Sequence, residues 1–93
     1  MVIDQAFAVP NPNPDRITFH LQGSVDDVLA RVYTKALVCL GQAHAGPKAA
    51  GWAELSLQGR AFFKANGLYY VTLTPARGQA SGKRVLLRMV ELR

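Results

Sequence analysis

The chain has 93 residues, of which 49% are hydrophobic and 18% charged, with a net charge of +5. This composition excludes a disordered polyelectrolyte and bounds the chain to one small domain with a single core, marginal enough for dimerisation to help. The single cysteine, Cys39, excludes an internal disulfide framework and a cysteine-rich zinc site; in its apolar run it reads as a small buried side chain.

No basic head precedes an apolar signal core, and no apolar run approaches the ~20 residues that span a bilayer. The expectation is a soluble, cytoplasmic protein without a membrane association. The charge is uneven along the chain. Residues 1–47 carry four carboxylates against three Lys or Arg, and residues 48–93 carry two against eight. A basic half on a small domain suits a polyanion, most simply nucleic acid; the plainer reading is a solvated surface that keeps the protein soluble.

In chain order, residues 1–15 contain Pro10-Asn11-Pro12-Asn13-Pro14. Alternating Pro and Asn removes backbone donors and favours turns, so this segment reads as a tail or an edge segment. Residues 16–93 then form one domain. Residues 16–22 alternate: Ile17, Phe19 and Leu21 share one face, and Thr18, His20 and Gln22 the other. This is a half-buried strand. His20 falls on its polar side without a second metal ligand at useful spacing.

Ser24 reads as a helix N-cap, with Asp27 closing a capping box. Val25, Val28, Leu29, Val32, Tyr33, Ala36, Leu37 and Leu40 follow at helical spacing. The expectation is one amphipathic helix from Val25 to about Leu40. Residues 41–51 hold Gly41, Gly46, Pro47 and Gly51 and read as a loop. Residues 52–57 alternate again, with Leu55 and Leu57 inward.

Asn66-Gly67 is a strong signal for a two-residue hairpin turn between Phe62-Phe63-Lys64 and Leu68-Tyr69-Tyr70-Val71, because both turn residues need positive φ. The rival reading is a short helix at about 57–65 that ends on Asn66-Gly67, giving a winged-helix-like end. Residues 74–83 read as a long, mobile basic loop, and residues 84–92 as a final strand.

The fold class expected from these elements is α+β: one N-terminal strand, one amphipathic helix, and a three- to four-stranded antiparallel meander packed on the helix. In the hairpin register Phe63 lies opposite Tyr70 on the open face, with Arg84, Leu86, Arg88 and Val90 beside them. Rings and arginines on an exposed sheet make a stacking platform for unpaired bases, and Arg77 and Lys83 would clamp the backbone.

The leading functional expectation is therefore a small nucleic-acid-binding module, DNA or RNA, using Phe63, Tyr70, Arg77, Lys83, Arg84 and Arg88. The second is a homodimeric protein-interaction module, an adaptor or inhibitor, using the same open face. No nucleotide loop, paired carboxylate motif or close nucleophile–base set is visible, so no enzymatic activity, cofactor or metal is expected.

Overall fold

The computed structural model describes residues 2–10, 14–57 and 66–92. Among these residues the regular elements are all β-strands: β1 (Ile3–Val9), β2 (Arg16–Leu21), β3 (Asp27–Thr34), β4 (Cys39–His44), β5 (Gly51–Ser56), β6 (Gly67–Arg77), β7 (Ala80–Ser81) and β8 (Val85–Glu91). The expected α+β class is thus overturned: the described residues are all-β, and Val25–Leu40 forms no helix.

The strands form two antiparallel sheets. The first has the order β1-β2-β5. In the second, β4 pairs with β3 and β3 with β6, and the far edge of β6 is shared by β8 and the short β7. Edge strand β1 lies against β8 where the sheets meet. Buried residues from both sheets form one cluster, including Ile17, Phe19 and Leu21 from β2, Val28, Ala30 and Val32 from β3, and Val71, Leu73 and Met89 from β6 and β8. This is a β-sandwich. Its order resembles the immunoglobulin constant-type arrangement, except that the fourth strand joins the third rather than the fifth.

Alternation explains which residues are inside. Ile17, Phe19 and Leu21 are buried while Thr18 and His20 face out, as the pleat requires. Val85, Leu87 and Met89 turn inward on β8, and Arg88 and Leu86 outward. Residues 52–57 also follow their alternation, with Leu55 and Leu57 buried.

The expected helix at Val25–Leu40 is two strands. Val28, Ala30 and Val32 are buried at every second position, whereas Arg31 between them is exposed. The helical spacing arose because Leu29 and Tyr33, on the opposite side of β3, are apolar as well. Where both faces of a strand carry apolar residues, period 2 is obscured and a 3.6 period can be traced through the mixture. The β-branched Val28, Val32 and Thr34 and the ring of Tyr33 favour the strand.

The first arm of the expected Asn66-Gly67 hairpin lies outside the described residues; its second arm begins β6 at Gly67, with a positive φ of 144°. Both edges of β6 are occupied from Tyr69 to Leu73. One edge is taken by β3 from Tyr69 to Ala76, the other by β8 from Gly67 to Leu73. The residues beside Tyr70 are Tyr33 and Arg88. Phe63 and the alternative helix at 57–65 fall largely outside the described residues.

Two expected loops are partly strand. Residues 41–44 belong to β4, and β6 runs on to Arg77 before turning back through Gly78 into β7. Cys39, expected to be buried, is exposed on edge strand β4.

The connection between β3 and β4 positions the site described below. The Leu37 amide donates to the Thr34 carbonyl at 2.8 Å, and the Thr34 amide donates to the Val38 carbonyl at 2.9 Å. The loop is a tight turn followed by a left-handed residue, a common three-residue hairpin geometry. The left-handed position normally goes to glycine, yet here it holds Leu37, with φ of 66°. A side chain in this region costs about 1–2 kcal/mol. Glycine's greater freedom in the unfolded chain offsets part of that. Leu37→Gly is therefore expected to stabilise the domain by roughly 0.5–1 kcal/mol in a urea titration; a loss of stability would show that the Leu37 side chain contributes more to the fold than its conformation costs.

Candidate functional site

The outer face of the second sheet is built from the residues of β3, β6 and β8 that point away from the core. In one row across the sheet Tyr33 pairs with Tyr70, and Tyr70 with Arg88. In the next, Arg31 pairs with Thr72, and Thr72 with Leu86. The β3–β4 hairpin ends the sheet beside Tyr33. A shallow depression of about 310 Å³ is lined by Tyr33, Leu37, Tyr70, Thr72, Arg84 and Leu86.

This region collects much of the exposed aliphatic surface. Leu37 is 69% exposed and Leu86 61%, and Val38 and Leu40 are exposed in and after the same hairpin. Isolated exposed leucines are ordinary, but a group around a depression marks a surface for contact. Both tyrosines are half-buried and line the depression.

The charge here is positive. Arg31, Arg84 and Arg88 are exposed, and among the described residues no carboxylate pairs with any of them. The acids at the end of this sheet are occupied. Asp26 accepts from the Gly78 amide, and Asp27 from the Gly46 amide and the His44 ring. Burial raises the Asp27 carboxyl, but the bonds from His44 and Gly46 outweigh it and hold the carboxyl below its ordinary 3.8. Asp27 thus stays charged and ties the start of β3 to the end of β4.

A second depression of about 290 Å³ lies on the first sheet, lined by Asp15, Arg16, Glu54 and Ser56. Its charges are spent on one another: Arg16 lies 2.9 Å from Asp15 and 3.8 Å from Glu54. It offers a ligand little that is unpaired. Among the described residues no group of three His, Cys, Asp or Glu side chains could hold a metal ion. No helix among them is long and apolar enough to cross a membrane.

Of the six residues expected to bind nucleic acid, the structure brings three together: Tyr70, Arg84 and Arg88. Arg77 lies apart at the end of β6, opposite Ala80, and Lys83 is in the exposed link between β7 and β8. Phe63 lies outside the described residues. The aromatic partner of Tyr70 is Tyr33, which sequence reasoning had assigned to the helix. Leu37 was missed for the same reason. Their signal was the alternation of Leu29, Arg31 and Tyr33 against Val28, Ala30 and Val32.

Comparison of the chain with protein-family models, curated proteins and solved structures found no match.

Proposed function

We propose that the chain is a protein-interaction module that docks a partner on the outer face of its second sheet. The observation that carries this reading is Leu37: a leucine held in a glycine-type conformation, more than two-thirds exposed, at the rim of a depression lined by two tyrosines and Leu86. Strain kept on an exposed apolar side chain is poor for stability and useful for contact.

The chemistry of the partner follows from the rim. Arg31, Arg84 and Arg88 favour a surface that sets carboxylates around an aliphatic ridge. A symmetric pair through this face would bring the arginines of two copies into one interface, where like charges repel. The partner is accordingly a different protein, and the module acts as an adaptor or inhibitor rather than a homodimer through this face. The expected nucleic-acid binding lacks support: aliphatic Leu37 and Leu86 supply no stacking plane, and Arg77 lies at the far end of β6 from Tyr70.

Panning a displayed random-peptide library on the protein tests the proposal. Peptides combining Leu, Ile or Phe with Asp or Glu are expected, and Leu86→Asp should weaken their binding by tenfold or more, on the order of 1.4 kcal/mol. Peptides that bind the variant equally well would refute it, as would salt-sensitive binding of oligonucleotides to the arginines with no peptide selected.

A further inference from the structure

The first sheet presents a different surface, independent of the docking face. In one row Phe7, Thr18 and Glu54 lie side by side across β1, β2 and β5; in another, Gln5, His20 and Trp52 do so. Phe7 and Trp52 come from the two outer strands of that sheet and approach across β2. Their ring centroids are 6.4 Å apart and their planes lie within 24° of parallel. The His20 ring meets Trp52 edge-on at 5.1 Å. Both large rings nevertheless remain open to solvent, Phe7 at 51% and Trp52 at 57%.

The polar groups around them are held in place. His20 Nδ1 lies 2.8 Å from one oxygen of Asp4, and Gln22 Nε2 donates to the other at 3.0 Å. The Gln22 bond and then the His20 bond hold the Asp4 carboxyl below its ordinary 3.8. This face therefore keeps a charged carboxylate on Asp4, close to two exposed rings.

We propose that Trp52 and Phe7 form a saccharide-binding subsite. A sugar ring has one face of C–H groups and an edge of hydroxyls. The C–H face, slightly positive, lies on the negative face of an aromatic ring. The hydroxyls both donate and accept, and here they meet the exposed Asp4 carboxylate, oriented by His20 and Gln22, with the amide and hydroxyl groups of Gln5 and Thr18 beside it. A few polar groups set around an apolar platform orient such a ligand. Other occupants fit less well. The Asp4 carboxylate repels a polyanion. A hydrophobic protein surface would strip water from the charged Asp4 carboxylate and from Gln5 and Thr18 without replacing its hydrogen bonds, and the aliphatic surface such a partner wants is grouped on the second sheet instead.

Trp52 is the chain's single tryptophan, so its emission reports on this site directly. Cellohexaose, xylohexaose, mannohexaose and chitohexaose are titrated separately into the intact protein, up to millimolar concentrations, with hexalysine as a cationic control. At least one sugar is expected to quench or blue-shift the emission saturably, independent of salt. Trp52→Ala and Phe7→Ala, read by affinity electrophoresis in gels carrying the corresponding polysaccharide, should each weaken binding by about fivefold or more without lowering the melting temperature. No saturable change with any of the four sugars would overturn the proposal. So would undiminished retention of Trp52→Ala, or a salt-sensitive response to hexalysine alone, which would mark a cation site. None of these outcomes depends on the second sheet, so failure here leaves the docking proposal to its own test.

Discussion

Phe19→Ala is expected to lower the unfolding free energy by about 3–5 kcal/mol, a large share of what a domain of this size holds. Phe19 is fully buried in the middle strand of the first sheet. Its neighbours across the sheet on either side are Ala6 and Ala53. Two small side chains flanking one ring leave the space that the ring fills, and neither alanine can reach into a void left by its removal. The surrounding sheets are tied by backbone ladders, so the site collapses poorly and the cost should lie toward the upper end. A urea titration of the variant against the native chain measures it. A loss under about 1.5 kcal/mol would mean that the two sheets close over this position more easily than close packing allows.

Asp27→Ala is expected to cost about 1–2 kcal/mol, since it removes a charge-assisted pair of bonds from a partly exposed site and leaves the Gly46 amide without its carboxylate. The effect should depend on pH in one direction. The folded-state carboxyl titrates below the ordinary 3.8, so its contribution is present above that pH and is lost as the pH falls through the folded value. Thermal melts of the native chain and the variant should therefore differ above about pH 4 and converge as the pH falls below it, through the folded value. A difference that persisted or widened as the pH fell from about 4 to 2 would contradict the assignment of Asp27 as the charged tie between β3 and β4.

Where one face of a strand is apolar and the other polar, the chain could be read directly. Ile17, Phe19 and Leu21 against Thr18 and His20 give β2, and Val85, Leu87 and Met89 against Arg88 give most of β8. The reading failed where both faces are apolar. In β3, Val28, Ala30 and Val32 enter the core while Leu29 and Tyr33 face out, and the mixture imitates a helix. Of these outward residues Tyr33 lines the depression of the second sheet, so the feature that hid the fold also hid part of the candidate site. A local turn preference such as that of Asn66-Gly67 is silent about long-range pairing, and it could not show that Tyr33 and Arg88 flank Tyr70. Tyr70 lies beside Arg88 and shares a depression with Arg84, while their neighbours Tyr33 and Leu37 lay within the misread stretch.

The docking proposal is tested most directly by following backbone amide resonances while a peptide selected by panning is added to the labelled protein. The largest shifts are expected at Tyr33, Leu37, Tyr70, Arg84 and Leu86, with Phe7, Thr18 and Trp52 unmoved. Shifts centred on the first sheet, or spread evenly over both, would contradict it.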